Sequence, residues 1–188
     1  MDDIVKAALK KWPNVPNCYD WLALDARGDW YMRDDRIQHA GPFPQVKGSK
    51  ITHDKLKAFI ERNYLSDEAT GEWFFQNGPQ RVYLTLEASP WIMGIREVAA
   101  HEGGHGSLQG FMIETHTGLP VAEVSHTLID EQGRLFLMTE HGLGVVRSMD
   151  MLAASEAVDA LKWAPEEVVF HTLPERYGFV IRPMPAPP

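Results

Sequence analysis

With a single cysteine, Cys18, in 188 residues, the chain can form no internal disulfide and no all-cysteine zinc cage. Basic residues are also scarce. Eighteen Lys and Arg against 26 Asp and Glu leave a formal charge of −8, which repels phosphate backbones and sets nucleic acid aside as a partner. No apolar run approaches the roughly 18 residues a membrane span needs, so no membrane partner is expected. The opening Met1-Asp2-Asp3-Ile4-Val5-Lys6 carries acids where a signal peptide carries bases, which makes the cytoplasm the expected compartment. Nucleotide and hydrolase motifs are missing too. Gly142-Leu143-Gly144 lacks the third glycine of a dinucleotide fingerprint, there is no Gly-Lys-Ser/Thr phosphate loop, and neither Ser107 nor Ser125 sits in a Gly-x-Ser-x-Gly elbow.

What is present reads as a globular protein, with 44% hydrophobic residues. Ile4, Val5, Ala8, Leu9 and Trp12 share one face at helical spacing, which predicts a helix over residues 2–12 stopped by Pro13. Tyr19 to Asp25 and Trp30 to Arg33 flank Asp25-Ala26-Arg27-Gly28, a turn sequence, and predict a hairpin. A loop at Gly41-Pro42-Phe43-Pro44 precedes a helix from His53 to about Tyr64, with Thr52 as its cap and Leu56, Phe59 and Ile60 as its buried stripe. Trp73 to Phe75 and Arg81 to Leu86 flank Asn77-Gly78-Pro79-Gln80, a second hairpin.

Glycines crowd residues 95–110, the expected linker. Beyond it, Ala122 to Ile129 and Arg134 to Thr139 flank a second Asp-x-x-Gly turn at Asp130-Glu131-Gln132-Gly133. Ser148 is placed to cap a helix to about Trp163. A last hairpin is expected from Val168-Val169-Phe170 and Tyr177 to Ile181, followed by a frayed tail at Pro183-Met184-Pro185-Ala186-Pro187-Pro188. The halves therefore read as an internal duplication of a hairpin, helix, hairpin unit. The fold class is α+β, with two tandem α/β-roll-like subdomains, each of antiparallel strands packed by one helix, over residues 1–94 and 111–188.

Particular motifs also resemble a family. Asp25-x-x-Gly28-x-Trp30, then Gly71-Glu72-Trp73-Phe74, Arg81-Val82-Tyr83 and Glu87-Ala88-Ser89-Pro90-Trp91 are similar to the N-terminal part of an uncharacterised bacterial family, domain-of-unknown-function family 1285. His141-Gly142-Leu143-Gly144-Val145-Val146-Arg147 resembles its C-terminal part. The resemblance implies an α/β roll followed by a β-roll-like half, and it brings no activity with it.

Chemistry is sparse. The first 94 residues carry 13 acids and 12 bases, whereas residues 95–188 carry 13 acids, 6 bases and six of the eight histidines, so a cation would find its ligands in the second half. His101-Glu102-Gly103-Gly104-His105 has the His-Glu-x-x-His spacing that on a helix puts two imidazoles on one zinc ion beside a general base. Its two internal glycines cost that helix about 2 kcal/mol relative to alanine. Glu114, His116, Glu123 and His126 lie downstream as sources of a third ligand, but none completes an extended motif. The remaining histidines read as strand or core residues, Cys18 as a small buried side chain, and the tryptophans and phenylalanines as core, with any surplus available for an apolar pocket or a dimer interface.

The reading is a non-catalytic binding or regulatory module for a small molecule or protein. It has no favoured catalytic residue and no cofactor, and its ligand is held between the halves. The alternatives are a zinc-dependent hydrolase using His101, Glu102, His105 and His116, and a structural homodimer.

Overall fold

The computed structural model describes residues 1–98 and 107–185. Contacts divide the chain into two units. The first holds Met1–Asp25, Asp29–Glu87 and the C-terminal segment from Gly178, and the second holds Ala26–Gly28 and Ala88–Tyr177.

In the first unit the elements run α1 (Asp3–Lys11), β1 (Cys18–Leu24), β2 (Trp30–Met32), α2 (Asp35–Ala40), β3 (Ser49–Lys50), α3 (Asp54–Arg62), β4 (Tyr64–Asp67), β5 (Glu72–Asn77) and β6 (Gln80–Leu86). They form one six-stranded sheet in the order β3-β2-β1-β6-β5-β4. The strand β6 is central and buries Val82, Tyr83, Leu84, Thr85 and Leu86 in succession, the near-continuous pattern of a strand covered on both faces. The helix α3 packs on β5, with Ile60 buried and Phe59 edge-on to Phe75.

The second unit runs β7 (Trp91–Glu97), β8 (Ser107–Leu108), β9 (Phe111–Thr115), β10 (Val124–Asp130), β11 (Leu135–Thr139), β12 (Gly142–Val146), α4 (Met151–Ala160), β13 (Glu166–Val168) and α5 (Leu173–Tyr177). Its seven-stranded sheet has the order β13-β10-β11-β12-β7-β9-β8. The helix α4 lies on β7 and buries Ala154 and Ala157, small side chains that let helix and sheet approach closely.

The α+β class and the two sheet-plus-helix subdomains agree with the sequence. The sheets are mixed rather than wholly antiparallel, because β1 runs parallel to β6, β10 to β13 and β12 to β7. The cap of α3 is His53, whose ring accepts from the Leu56 amide, rather than Thr52. Ser148 opens a 3-10 turn instead of capping α4. The expected linker begins inside β7 and ends beyond β8. Gly94, which mimics a breaker, is a strand residue, and a glycine stands there because a Cβ would meet the Arg147 guanidinium at 2.5 Å.

The last expected hairpin is absent. Phe170–Thr172 forms a 3-10 turn and Leu173–Tyr177 a helix, with Pro174 in its first turn, where a missing N–H leaves no bond unmade. The segment after it is held in place: Val180 N–H donates to Gly71 O, Leu86 N–H donates to Ile181 O, and Phe179 is buried. Of the expected frayed tail, Pro183 is buried, Met184 and Pro185 are exposed, and residues 186–188 lie outside the described residues.

The hairpin, helix, hairpin order is therefore not repeated. What the halves share is local. Asp25 directly follows β1 and Asp130 ends β10, and each of these strands forms a hairpin with the next strand and runs parallel to a later one. Asp25 Oδ1 accepts from Asp29 N at 3.0 Å and Asp130 Oδ1 from Arg134 N at 2.8 Å, while Gly28 and Gly133 have φ of 86° and 73°.

A candidate anion site in the first unit

The site begins with an irregularity in β1. Its register against β6 shifts between Cys18 and Leu22, and Asp20 within that shift has φ of 61°, a left-handed conformation rare in a strand. The Asp20 carboxylate is fully engaged. Its Oδ1 accepts from Thr85 Oγ1 at 3.0 Å and Arg182 Nε at 2.9 Å, and its Oδ2 accepts from Arg182 Nη2 at 2.6 Å. Burial pushes this carboxyl up, but the bonds from Arg182 and Thr85 and the charges of Arg182 and Arg33 outweigh that and hold it below the usual carboxylate range.

Arg33 follows β2 directly. Its N–H donates to Trp21 O at 2.9 Å, and its carbonyl accepts from Gln38 Nε2 at 2.8 Å. Asp34 caps the short helix α2 by accepting from Ile37 N at 3.0 Å, which turns the chain so that Gln38, His39, Gly41 and Pro42 come round in front of Arg33. The Arg33 guanidinium donates from Nη2 to Gly41 O at 2.6 Å and lies 5.9 Å from the Phe43 ring centre. Arg33 is only 2% exposed, its Nε has no hydrogen-bond partner, and no carboxylate pairs with it among the described residues. Burial pushes its guanidinium down from the ordinary value, with Asp20 opposing and Arg182 reinforcing the shift, and an arginine so placed stays charged.

Together Asp20, Arg33, Gln38, His39, Gly41, Pro42 and Arg182 line an open cavity of about 400 Å³. A buried cation normally needs an ion pair, because desolvation of an unpaired charge costs several kcal/mol. Here Arg182 has taken the nearby carboxylate. The arrangement can bind an anion, but Asp20 is too fully engaged to act as a base.

Other cavities are less telling. A larger one of about 700 Å³ in the second unit is lined by Asp130, Glu131, Glu166, Glu167 and Arg176, but its arginine is already paired. Arg176 pairs with Glu166 at 2.8 Å, Glu131 accepts from Phe170 N, and Arg134 pairs with Asp130. An apolar groove of about 270 Å³ beside α3 includes Cys18, Trp21, Met32, Leu56, Phe59 and Phe75. Burial pushes the Cys18 thiol up and the charge of Asp35 adds to this, the reverse of what a nucleophile needs.

His101, Glu102 and His105 lie outside the described residues. His116 is placed elsewhere than in a histidine cluster: its Nδ1 accepts from Ile92 N at 3.3 Å, and its ring lies 5.8 Å from that of Trp91. His126 bonds to Tyr177 OH, and His141 Nε2 donates to Pro120 O. Among the described residues no three of His, Cys, Asp and Glu come together in a way that could hold a metal ion. Nor does any helix there have the length and apolar character to cross a membrane.

Sequence reasoning missed Asp20, Arg33 and Arg182. One signal was available: Asp20 interrupts the apolar run Cys18-Tyr19-Asp20-Trp21-Leu22, where a charge needs a partner. Nothing local indicated that the partner would come from residue 182.

Comparison with known proteins adds a family. A family model for DUF2944, described as "Protein of unknown function (DUF2946)", matches residues 1–184. Among solved structures, a DUF1285 family protein from Silicibacter pomeroyi DSS-3 is similar at 10% identity and a TM-score of 0.49, covering 83% of this chain and 84% of that one. No curated protein matches.

Proposed function

We propose that this chain, which belongs to the DUF2944 family, is a small-ligand-binding module whose ligand presents an anionic group to Arg33. The observation that carries this is a guanidinium, 2% exposed, in the lining of an open cavity, with no carboxylate paired to it among the described residues. Proteins tolerate a buried charge when something pairs with it, and a bound anion is the partner that the cavity leaves room for. The cavity size falls within the range of ordinary small-molecule sites, roughly 300–1,000 Å³. Binding rather than catalysis is favoured because Asp20, the carboxylate among the described residues that line the cavity, already accepts three hydrogen bonds.

The test is a thermal-shift screen of the full chain in chloride-free buffer against small organic and inorganic anions. A ligand that binds only the folded state stabilises it by RT ln(1 + L/Kd) at free ligand concentration L, so the melting temperature keeps rising with ligand concentration. Concentration-dependent stabilisation by at least one anion, lost in Arg33→Lys, is the expected result. Arg33→Lys keeps a positive charge but loses the flat fork. Unchanged melting with every anion would overturn the proposal.

A further inference from the structure

We infer that the ligand of the Arg33 cavity is a small monocarboxylate that also carries a hydroxyl group. This rests on the binding reading above and adds two determinants, charge and hydrogen-bond polarity.

Charge comes first. The cavity wall carries two guanidinium groups and one carboxylate, and Asp20 neutralises Arg182 through two bonds of 2.9 and 2.6 Å. One positive charge is left over, that of Arg33. A monoanion compensates it fully. A dianion would bring a second negative charge close to Asp20, where like charges disfavour each other. Geometry then favours a carboxylate, because a planar guanidinium edge matches a carboxylate through two parallel N–H···O bonds. Phe43 lies 5.9 Å from the Arg33 guanidinium and Gly41 O holds its Nη2 at 2.6 Å, so the group is fixed before the ligand arrives.

The second determinant is what faces the ligand beside Arg33. Gln38 donates its Nε2 to Arg33 O at 2.8 Å, which fixes the amide and leaves its Oε1 as an acceptor. The His39 ring contacts Asp35 O through Nδ1. A carbonyl can only accept, so this contact puts the ring proton on Nδ1 and leaves Nε2 of the neutral ring as an acceptor. Besides the Arg33 guanidinium and the second Nε2–H of Gln38, these two side chains offer acceptors, and a ligand that brings its own donor next to its carboxylate can satisfy one of them; a hydroxyl group is the smallest such donor that adds no charge.

The experiment is isothermal titration of the full chain with glycolate, acetate, inorganic phosphate and succinate in chloride-free buffer, on the wild type and on His39→Leu. His39 is exposed, so its replacement leaves the core intact. The expected order on the wild type is glycolate tightest, acetate about tenfold weaker for one lost hydrogen bond, and phosphate and succinate weaker than acetate. In His39→Leu the preference for glycolate over acetate should shrink severalfold while acetate affinity holds. Phosphate or succinate binding as tightly as glycolate would overturn the monocarboxylate assignment and leave an anion site standing. Equal affinity for glycolate and acetate would overturn the hydroxyl assignment. Failure of all four probes to bind the wild type, together with an unresponsive thermal-shift screen, would remove the binding reading itself.

Discussion

The carboxylate of Asp20, in a strand near the start of the chain, grips the guanidinium of Arg182 near its end, with Nε–Oδ1 at 2.9 Å and Nη2–Oδ2 at 2.6 Å. The pair joins β1 to the C-terminal segment and, by spending the Arg182 charge, leaves Arg33 as the cavity's one uncompensated cation among the described residues.

Because the Asp20 carboxyl is held below its ordinary value in the folded state, its contribution is fully present at neutral pH. It is lost as pH falls below about 4 and through the depressed folded value. Asp20→Asn should therefore lower stability by about 1.5–3 kcal/mol at pH 7, the worth of hydrogen bonds to a charged group. Urea melts across pH should show the gap between variant and wild type closing in acid; a gap independent of pH would contradict the pairing.

The two Asp-x-x-Gly turns should differ in tolerance. At Gly133, with φ of 73° and open space around it, alanine meets only backbone strain, about 1 kcal/mol. At Gly28, with φ of 86°, an added Cβ would also stand 3.0 Å from the His116 Cβ, so Gly28→Ala should cost more. Thermal melts that rank the variants the other way would contradict the packing around Gly28.

These turns were legible because an Asp that bonds amides after it and a Gly that takes φ > 0 act within four residues. Helices α1 and α3 were legible for a similar reason, since their apolar residues recur on one face. The short elements α2, β3, β4, β8 and α5 were not, because two to six residues carry too little periodicity to register. The sheet pairings between distant segments, such as β12 with β7, depend on tertiary contacts that no local pattern encodes. The candidate site was illegible for the same reason: Asp20 and Arg182 meet across the whole length of the sequence.

Asp150 fastens the 3-10 turn before α4 to β7. Its Oδ2 accepts from Ile95 N at 3.1 Å and from Arg147 Nε at 2.8 Å, and Arg147 fills the space over Gly94. Asp150→Ala leaves both donors without this acceptor and should cost about 1.5–3 kcal/mol in urea melts. An unchanged midpoint would show that the clamp does not contribute to stability.

Zinc should be substoichiometric. The two glycines inside His101-Glu102-Gly103-Gly104-His105 weaken any helix there, and the Nδ1 lone pair of His116 is spent on the Ile92 amide. Metal analysis of untagged protein should find clearly less than one zinc per chain, and His101→Ala with His105→Ala should melt like the wild type. Stoichiometric zinc lost in that double variant would restore the hydrolase reading.

The most direct measurement of the central claim reads the Arg33 Nε–H itself. In a proton–nitrogen correlation spectrum of the full chain, the arginine side-chain signal missing from Arg33→Lys identifies that group, and glycolate is then titrated into the wild type. The expected result is a saturable downfield shift of that one signal, as a donor without a partner gains a charge-assisted hydrogen bond. A signal that stays in place while glycolate binds elsewhere on the protein would contradict Arg33 as the anion's partner.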